Sequence, residues 1–144
     1  MIKSVFVAAL IASFACPARA ADGDPAAGKD VFRKCQSCHK LGPDAKNSVG
    51  PVLTGVVGRP TGTAKDYNYS TLNHAAGEHG LVWTEDNIFN YLADPQGFLS
   101  GFLMSKGVSL ADTGHTKMVF KLADEEQRRD VIAYLKTFQA MPAP

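Results

Sequence analysis

The sequence is short of cysteine and tryptophan, and it has little excess charge of either sign. It contains three cysteines and one tryptophan, and 15 basic residues nearly balance 14 acidic ones. Three cysteines are too few for the disulfide framework that holds many small secreted domains together. A formal net charge of +1 argues against a general nucleic-acid binder, which carries a marked positive excess.

Long apolar runs are missing except at the amino terminus. Lys3 precedes an almost unbroken apolar stretch over residues 5–15, which is too short to span a bilayer. Ala18-Arg19-Ala20 has the small residues of a secretory cleavage site. We therefore expect residues 1–20 to be a cleaved signal peptide that removes Cys16, and residues 21–144 to form one domain. That product should be soluble, without stable membrane insertion.

Hydrophobic spacing predicts an all-α chain of three or four helices separated by long loops. The first helix begins at Asp24-Pro25, a capping residue followed by proline at the first helical position. A second is capped by Thr84 and runs to about Asp94, with at most a short helical turn over residues 95–99. The last follows Asp124 and buries apolar residues at i, i+3, i+4 and i+7, namely Val131, Tyr134, Leu135 and Phe138.

Two stretches are predicted to be loops, residues 41–73 and residues 100–115. Both are rich in glycine, and the first also contains Pro43, Pro51 and Pro60. A loop as long as the first is unusual inside a compact domain. It is understandable if the segment wraps around something that orders it.

Cys35-Gln36-Ser37-Cys38-His39 has the C-x-x-C-H spacing of a c-type haem attachment site. Two thiols three positions apart on a helical turn can both reach the vinyl groups of one porphyrin and form thioether bonds. The histidine that follows can then place its imidazole nitrogen on the iron. The motif predicts one covalent haem c with His39 as an axial ligand.

Two other readings of the cysteine pair are possible. A redox dithiol uses the same spacing but normally follows a strand, and no strand is predicted before Cys35. A zinc site needs a second close pair of ligands, whereas His74, His79 and His115 are scattered. Haem attachment therefore explains the motif best.

The second axial ligand is open on spacing alone. A methionine thioether is one ligand that haem proteins use. Met104, Met118 and Met141 are the candidates left after the signal peptide, and methionine is often only core filler.

Several further segments carry a family likeness, namely residues 28–32, 50–59, 67–70, 83–86, 91–95, 116–120 and 132–135. Together with C-x-x-C-H they make the chain resemble the class I cytochromes c, most closely the mitochondrial and bacterial c2 branch. The likeness runs from Gly23 to Lys136. It implies the small all-α cytochrome c fold, in which the terminal helices cross and long loops wrap one haem.

The resemblance also implies roles for individual residues. Met118 is the implied sixth ligand, and the Pro51 carbonyl is the implied partner of the His39 ring. Gly28 and Tyr134 are expected where the terminal helices cross. The remaining implied roles lie around the haem: Arg59, Tyr69, Trp83 and Thr116 at the propionates, Tyr91 and Asn73 near Met118, and Phe120 over the haem face.

One departure from the short mitochondrial pattern concerns the path to Met118. The chain is longer between Phe98 and Met118, with the extra residues within 99–115. Met104 or His115 is the local alternative as ligand.

The resemblance implies an electron carrier rather than an enzyme. It is expected to be a monomeric, periplasmic shuttle between redox proteins of a respiratory or photosynthetic chain, with no nucleic-acid partner. Basic residues near the motif and around Met118 predict a patch that docks acidic partner surfaces, namely Arg33, Lys34, Lys40, Lys46, Lys117 and Lys121. The alternatives are a ligand-binding or peroxidatic haem protein with a labile sixth ligand, and a thiol oxidoreductase.

Overall fold

A computed structural model describes residues 22–139 of the chain. Within that range it has no β-strand and five helices: α1 (Pro25–Phe32), α2 (Thr71–Glu78), α3 (Glu85–Ala93), α4 (Pro95–Ser105) and α5 (Glu125–Lys136). The predicted all-α fold is confirmed. The expected signal peptide, Cys16 and Met141 lie outside the described residues. No helix in residues 22–139 is both long and apolar enough to cross a bilayer.

The helix starts lie where the capping residues predict them. The Asp24 side chain accepts a hydrogen bond from the Ala26 amide (2.8 Å), and the Thr84 hydroxyl accepts one from the Asn87 amide (3.2 Å). Asp124 accepts one from the Gln127 amide (2.9 Å). Each cap satisfies an amide that has no partner inside its own helix. Local sequence therefore fixes where α1, α3 and α5 begin.

The two terminal helices cross at Gly28, as the resemblance implies. Gly28 of α1 is buried against α5, and Phe32, one turn later, packs on Tyr134 with ring centroids 5.7 Å apart. The Asp24 amide also donates to the Asp130 carboxylate of α5 (2.7 Å). A helix-interior glycine is unfavourable by itself, so the close approach explains its presence.

Helix α2 was not predicted. Its first residues were assigned to the loop over residues 41–73, since its sequence contains histidines and a glycine rather than a long apolar stripe. Ser70 nevertheless caps it, and Leu72 and Ala76, four residues apart, are completely buried. Tertiary burial therefore stabilises a helix whose own sequence signal is weak.

The prediction for α4 was also wrong in length. A short turn over residues 95–99 followed by a loop from Ser100 was expected, but the helix continues to Ser105. Pro95 ends α3 and also begins α4, where its missing amide hydrogen is harmless. Leu99 and Leu103, four residues apart, are fully buried and hold the extra turns on the core. Only residues 106–115 then form the connection toward Met118.

Candidate cofactor site around Cys35, Cys38 and His39

The two motif cysteines lie in a tight turn that directly follows α1. The Cys35 amide donates to the Phe32 carbonyl (2.8 Å), and the Cys38 and His39 amides both donate to the Cys35 carbonyl (3.0 and 2.9 Å). Within residues 22–139 neither thiol forms a disulfide, and both are half-buried. Burial raises the pKa of Cys35, with Lys34 opposing the shift. The turn thus presents two free thiols and the imidazole within one compact segment.

The His39 ring is oriented by a main-chain carbonyl. Its Nδ1 lies 2.8 Å from the Pro51 oxygen. Burial lowers the pKa of His39; the Pro51 hydrogen bond works against that shift, and nearby Arg59 adds to it. A neutral imidazole whose Nδ1 donates to a carbonyl has its Nε2 lone pair available for a metal.

Gly50 makes room for the His39 ring, a role that sequence reasoning missed. A Cβ built on Gly50 would lie 2.4 Å from His39 Cε1 and 2.8 Å from Nε2. The Gly50 amide also donates to the Cys38 carbonyl (2.8 Å), which holds the loop against the motif. A glycine in a glycine-rich loop gives no sequence signal that separates this steric role from simple flexibility.

Arg59 is a half-buried cation held on its own loop. Its guanidinium donates to the Val52 carbonyl (2.9 Å) and, at longer range, to the Thr54 carbonyl (3.4 Å). Its Nε is buried without a hydrogen-bond partner, and no carboxylate of residues 22–139 forms an ion pair with it. Burial lowers the pKa of Arg59, against the effect of Tyr69. Such a cation suits an anionic group, and a haem propionate is one.

Aromatic side chains line the same region. Tyr69 is buried and its hydroxyl accepts from the Ala64 amide (3.3 Å), while its ring meets that of Tyr67 edge to face at 4.7 Å. Trp83 is also buried and packs edge to face on Tyr91, with ring centroids 4.7 Å apart. Burial raises the pKa of Tyr69, so the phenol stays neutral and can donate a hydrogen bond.

The segment carrying Met118 is tied to α2 and α3 through polar groups. The Thr116 hydroxyl lies 3.4 Å from Asn73 Oδ1, and the Met118 amide lies 3.3 Å from the same hydroxyl. The Tyr91 hydroxyl lies beside Thr116 and Asn73; their side chains lower the pKa of Tyr91, but burial raises it more. The structure therefore places Asn73 and Tyr91, the two residues expected near Met118, in one polar cluster with Thr116, which was expected at the propionates.

The methionine and histidine alternatives differ in exposure. Met118 is half-buried and packs on the hydrophobic core, whereas Met104 is 63% exposed at the end of α4 and His115 is exposed. Phe120, expected to cover the haem face, is 38% exposed beside Val119, which is 87% exposed. This pattern favours Met118 over Met104 and leaves an apolar surface next to it.

Two further residues hold the Met118 segment and were missed by sequence reasoning. The buried Arg128 of α5 donates to the Leu122 and Ala123 carbonyls (2.8 and 2.7 Å). Gln96 of α4 accepts a hydrogen bond from the Thr116 amide (2.9 Å). Neither position stands out in the sequence. Both side chains bind backbone atoms more than three residues away along the chain, and such contacts require no particular residue type at the partner position.

The donor set fits a covalently attached haem. Haem c attachment uses two thiols and an imidazole nitrogen, and Cys35, Cys38 and His39 supply them. A half-buried thioether, that of Met118, and a half-buried cation without a carboxylate partner within residues 22–139, that of Arg59, complete the set. A zinc site has less support, because residues 22–139 contain no cluster of three or more histidine, cysteine or acidic side chains that could hold an ion.

Known proteins of one family resemble this chain over nearly all of its described length. The profile of the family described as cytochrome c matches residues 25–139. Cytochrome c2 iso-1 of Rhodospirillum centenum is 62% identical over 117 residues, which are 81% of this chain and 98% of that protein. A cytochrome c2 of Rhodopseudomonas palustris is 56% identical over 116 residues, 81% of this chain and 99% of that protein. The solved structure of cytochrome c2 from Rhodospirillum centenum superimposes with a TM-score of 0.79 at 59% identity, covering 83% of this chain and all of the other.

Proposed function

The chain belongs to the cytochrome c family, in its c2 branch, and we propose that it is a diffusible electron carrier, not an enzyme, that holds one haem c through Cys35 and Cys38. The observation that carries the proposal is the His39 imidazole, held at Nδ1 by the Pro51 carbonyl at 2.8 Å and placed directly after two free thiols. His39 and Met118 are the proposed axial ligands. When bound, the haem supplies a one-electron couple between ferrous and ferric iron.

The side chains around the site keep the ligands in place. Pro51 and Gly50 restrain the His39 ring, one by a hydrogen bond and the other by leaving it space. Thr116 and Asn73 hold the backbone of Met118. Ligands that stay in the same place in both oxidation states suit rapid electron transfer. With both His39 and Met118 bound to it, the iron would have no open position for oxygen or peroxide, which disfavours the ligand-binding alternative.

Arg59 and Tyr69 are the proposed partners of the haem propionates. The guanidinium supplies a positive charge with a free Nε, and the Tyr69 phenol supplies a neutral donor. Trp83 packs beside Tyr91 in the same region and is proposed to contribute its indole N–H. These contacts would neutralise a negative charge that is otherwise costly to bury.

The segments that carry Lys46 and Lys117 both lie against Tyr67. The Lys117 ammonium donates to the Asn68 carbonyl and lies 5.7 Å from the centre of the Tyr67 ring. The Tyr67 hydroxyl in turn donates to the Val49 carbonyl (2.8 Å), close in sequence to the exposed Lys46. Because Tyr67 contacts both segments, we propose that Lys46 and Lys117 border the surface that docks acidic redox partners.

Not every predicted cation is equally available for docking. Arg33 pairs with Asp30 (2.7 Å), and Lys121 pairs with Asp94 (3.0 Å). Lys34 and Lys40 donate to neutral oxygens, of Gln127 and Gln36 respectively (2.7 Å each), and form no ion pair with the described part of the chain. Long-range steering depends on the summed field, so the paired residues contribute less to it.

Charge reversal tests the docking surface. Lys46→Glu is expected to lower the second-order rate of electron transfer with an acidic redox partner and to flatten its dependence on salt. Lys106→Glu is the matched control, because Lys106 is also exposed but lies at the end of α4, over the Phe102 ring. Equal losses in the two variants would show that only net charge matters and would refute a localised surface.

Residues 1–20 are proposed to direct the chain to the periplasm, after which it acts as a monomer. Mass spectrometry of protein secreted from a Gram-negative host tests the cleavage. The expected mass is that of residues 21–144 plus one haem, and retention of residues 1–20 would contradict the proposal.

Optical spectra of the purified holoprotein test the ligand assignment. The ferric protein is expected to show the weak methionine–iron charge-transfer band, Met118→Ala to lose it and Met104→Ala to keep it. The ferrous native protein should bind carbon monoxide only slowly. Rapid carbon monoxide binding, or a band that survives in Met118→Ala, would support a ligand-binding protein or another sixth ligand instead.

A further inference from the structure

Gln96 connects α4 to the segment that carries Met118. Its Oε1 accepts a hydrogen bond from the Thr116 amide (2.9 Å). Its Nε2 lies 3.1 Å from the Ser100 hydroxyl, one turn further along the same helix. The second bond fixes the orientation of the side-chain amide, so that its oxygen rather than its nitrogen faces Thr116.

The chain just before Thr116 is held by few other contacts. Residues 106–115 join α4 to Thr116, and most of them are exposed, including Gly114 and His115 immediately before it. Val108, Leu110 and Thr113 are the members that pack inward. The position of Thr116 therefore depends mainly on side chains outside the connection, Gln96 and Asn73.

Thr116 transmits that position to Met118. The Met118 amide lies 3.3 Å from the Thr116 hydroxyl, so the two residues share one local turn. Thr116 itself is 7% exposed. A buried amide that loses its acceptor is an unsatisfied hydrogen-bond donor, which raises the free energy of the folded protein. The segment would therefore move until the amide reaches water.

The other end of the segment is anchored independently. The Leu122 amide donates to the Leu92 carbonyl of α3 (2.8 Å), and Arg128 binds the Leu122 and Ala123 carbonyls. Loss of the Gln96 contact would therefore loosen one end while the other stays fixed. The freed part is the one next to Met118.

From these contacts we propose that Gln96 is a positioning residue that keeps Met118 on the iron. The inference depends on the proposed function, because it takes Met118 as the sixth ligand. Gln96 acts through Thr116 rather than on the haem directly. Helix α4 thus contributes to ligand binding through Gln96 rather than only adding length.

The test measures how readily an external ligand displaces Met118. Imidazole is titrated into the ferric holoprotein, and the loss of the methionine–iron charge-transfer band is followed. Gln96→Leu leaves the Thr116 amide without an acceptor and is expected to lower the apparent Kd for imidazole about 3- to 10-fold. Gln96→Asn retracts the amide by one methylene and is expected to shift the Kd in the same direction.

Gln96→Glu is the conservative variant, since it keeps an oxygen facing the Thr116 amide. Its Kd for imidazole, a neutral ligand, should stay within about twofold of the parent. Gln127→Leu is the matched control: Gln127 bonds to Lys34 and lies outside the Met118 segment. It is expected to leave the Kd unchanged.

The outcomes separate this inference from the ligand assignment. If the native protein lacks the charge-transfer band, or Met118→Ala retains it, the assignment of Met118 as the sixth ligand in the proposed function is wrong. If that assignment holds but Gln96→Leu and Gln127→Leu give the same Kd, the inference about Gln96 is wrong. Equal shifts in Gln96→Leu and Gln96→Glu would also overturn it, because the acceptor oxygen would then be irrelevant.

Discussion

Gly28 of α1 lies directly against the main chain of Asp130 in α5. A Cβ built on Gly28 would be 1.9 Å from the Asp130 carbonyl oxygen and 2.9 Å from the Tyr134 Cβ. No side chain fits between the two helices at this point. The missing Cβ therefore sets how closely the amino- and carboxyl-terminal helices approach each other. Because the cysteine turn directly follows α1, this approach also sets where that turn lies.

We expect Gly28→Ala to destabilise the holoprotein by about 3 kcal/mol, because a rigid backbone atom blocks the added methyl group. Guanidinium unfolding followed by circular dichroism measures the change. Gly101→Ala is the control, since Gly101 is also in a helix but has no neighbouring atom within 4 Å of its would-be Cβ. It should be neutral or stabilising by up to about 1 kcal/mol, and similar losses in both variants would refute the packing explanation.

A second prediction concerns Gly50 and the His39 ring. Gly50→Ala should displace the imidazole, shift the reduction potential and lower stability by about 1–3 kcal/mol. Potentiometric titration and guanidinium unfolding check the two effects. Val49→Ala changes the neighbouring residue, whose side chain is 72% exposed, and should leave the potential unchanged. An unaltered potential in Gly50→Ala would mean that the ring tolerates the methyl group.

A third prediction compares two adjacent arginines of α5. Arg128 is 6% exposed, binds two carbonyls and lies 4.3 Å from the Phe89 ring centre, so Arg128→Ala should cost about 2–4 kcal/mol. Arg129 also lies over Phe89, at 4.9 Å, but its side chain is 41% exposed and pairs with Glu125. Arg129→Ala should cost less than about 1 kcal/mol. Unfolding midpoints that do not separate the two variants would count against the assigned role of Arg128.

A fourth prediction is a pH dependence that arises from Asp94. The hydrogen bond from Lys121 lowers the pKa of Asp94 below its ordinary value of 3.8. An acid whose pKa is lower in the folded state stabilises the fold above its unfolded pKa, and that contribution is lost as the pH falls through the folded value. Asp94→Asn should therefore lower the Tm at pH 7, and its difference from the parent should close below pH 3.8.

Lys121→Met provides the control for that prediction. In a Lys121→Met background, Asp94→Asn should change the Tm at pH 7 by less than it does in the parent, because the pair is already broken. An equal change in both backgrounds would mean that Asp94 acts through something other than Lys121.

The sequence predicts best what depends on local pattern. The caps at Asp24, Thr84 and Asp124 fix the starts of three helices, and the C-x-x-C-H motif points to the cysteine turn. Pro51 was named only through the family resemblance, and its carbonyl lies 2.8 Å from His39 Nδ1. Arg59, Tyr69 and Thr116 were named in the same way, and their roles at the haem remain predictions. Physical pattern alone would have left the second axial ligand open among three methionines.

The sequence predicts poorly what depends on distant packing. Helix α2 has only Leu72 and Ala76 to mark its buried side, and the last two turns of α4 contain Gly101 and exposed Met104. Both helices form because the core covers one face of each. The contacts of Gln96 and Arg128 are harder still to predict, because both side chains bind backbone groups. Every residue has such groups, so the sequence does not mark which ones the fold will bring near.

The exposed connection over residues 106–115 gives this protein a natural insertion site. Gln96, Asn73 and Arg128 hold the Met118 segment, and all three lie outside the connection. Extra residues inserted into the connection therefore need not displace the Met118 segment. The entropic cost of a longer loop rises only slowly with its length. A reporter peptide or a fused domain inserted near Ser109 should therefore be tolerated without altering the colour of the protein.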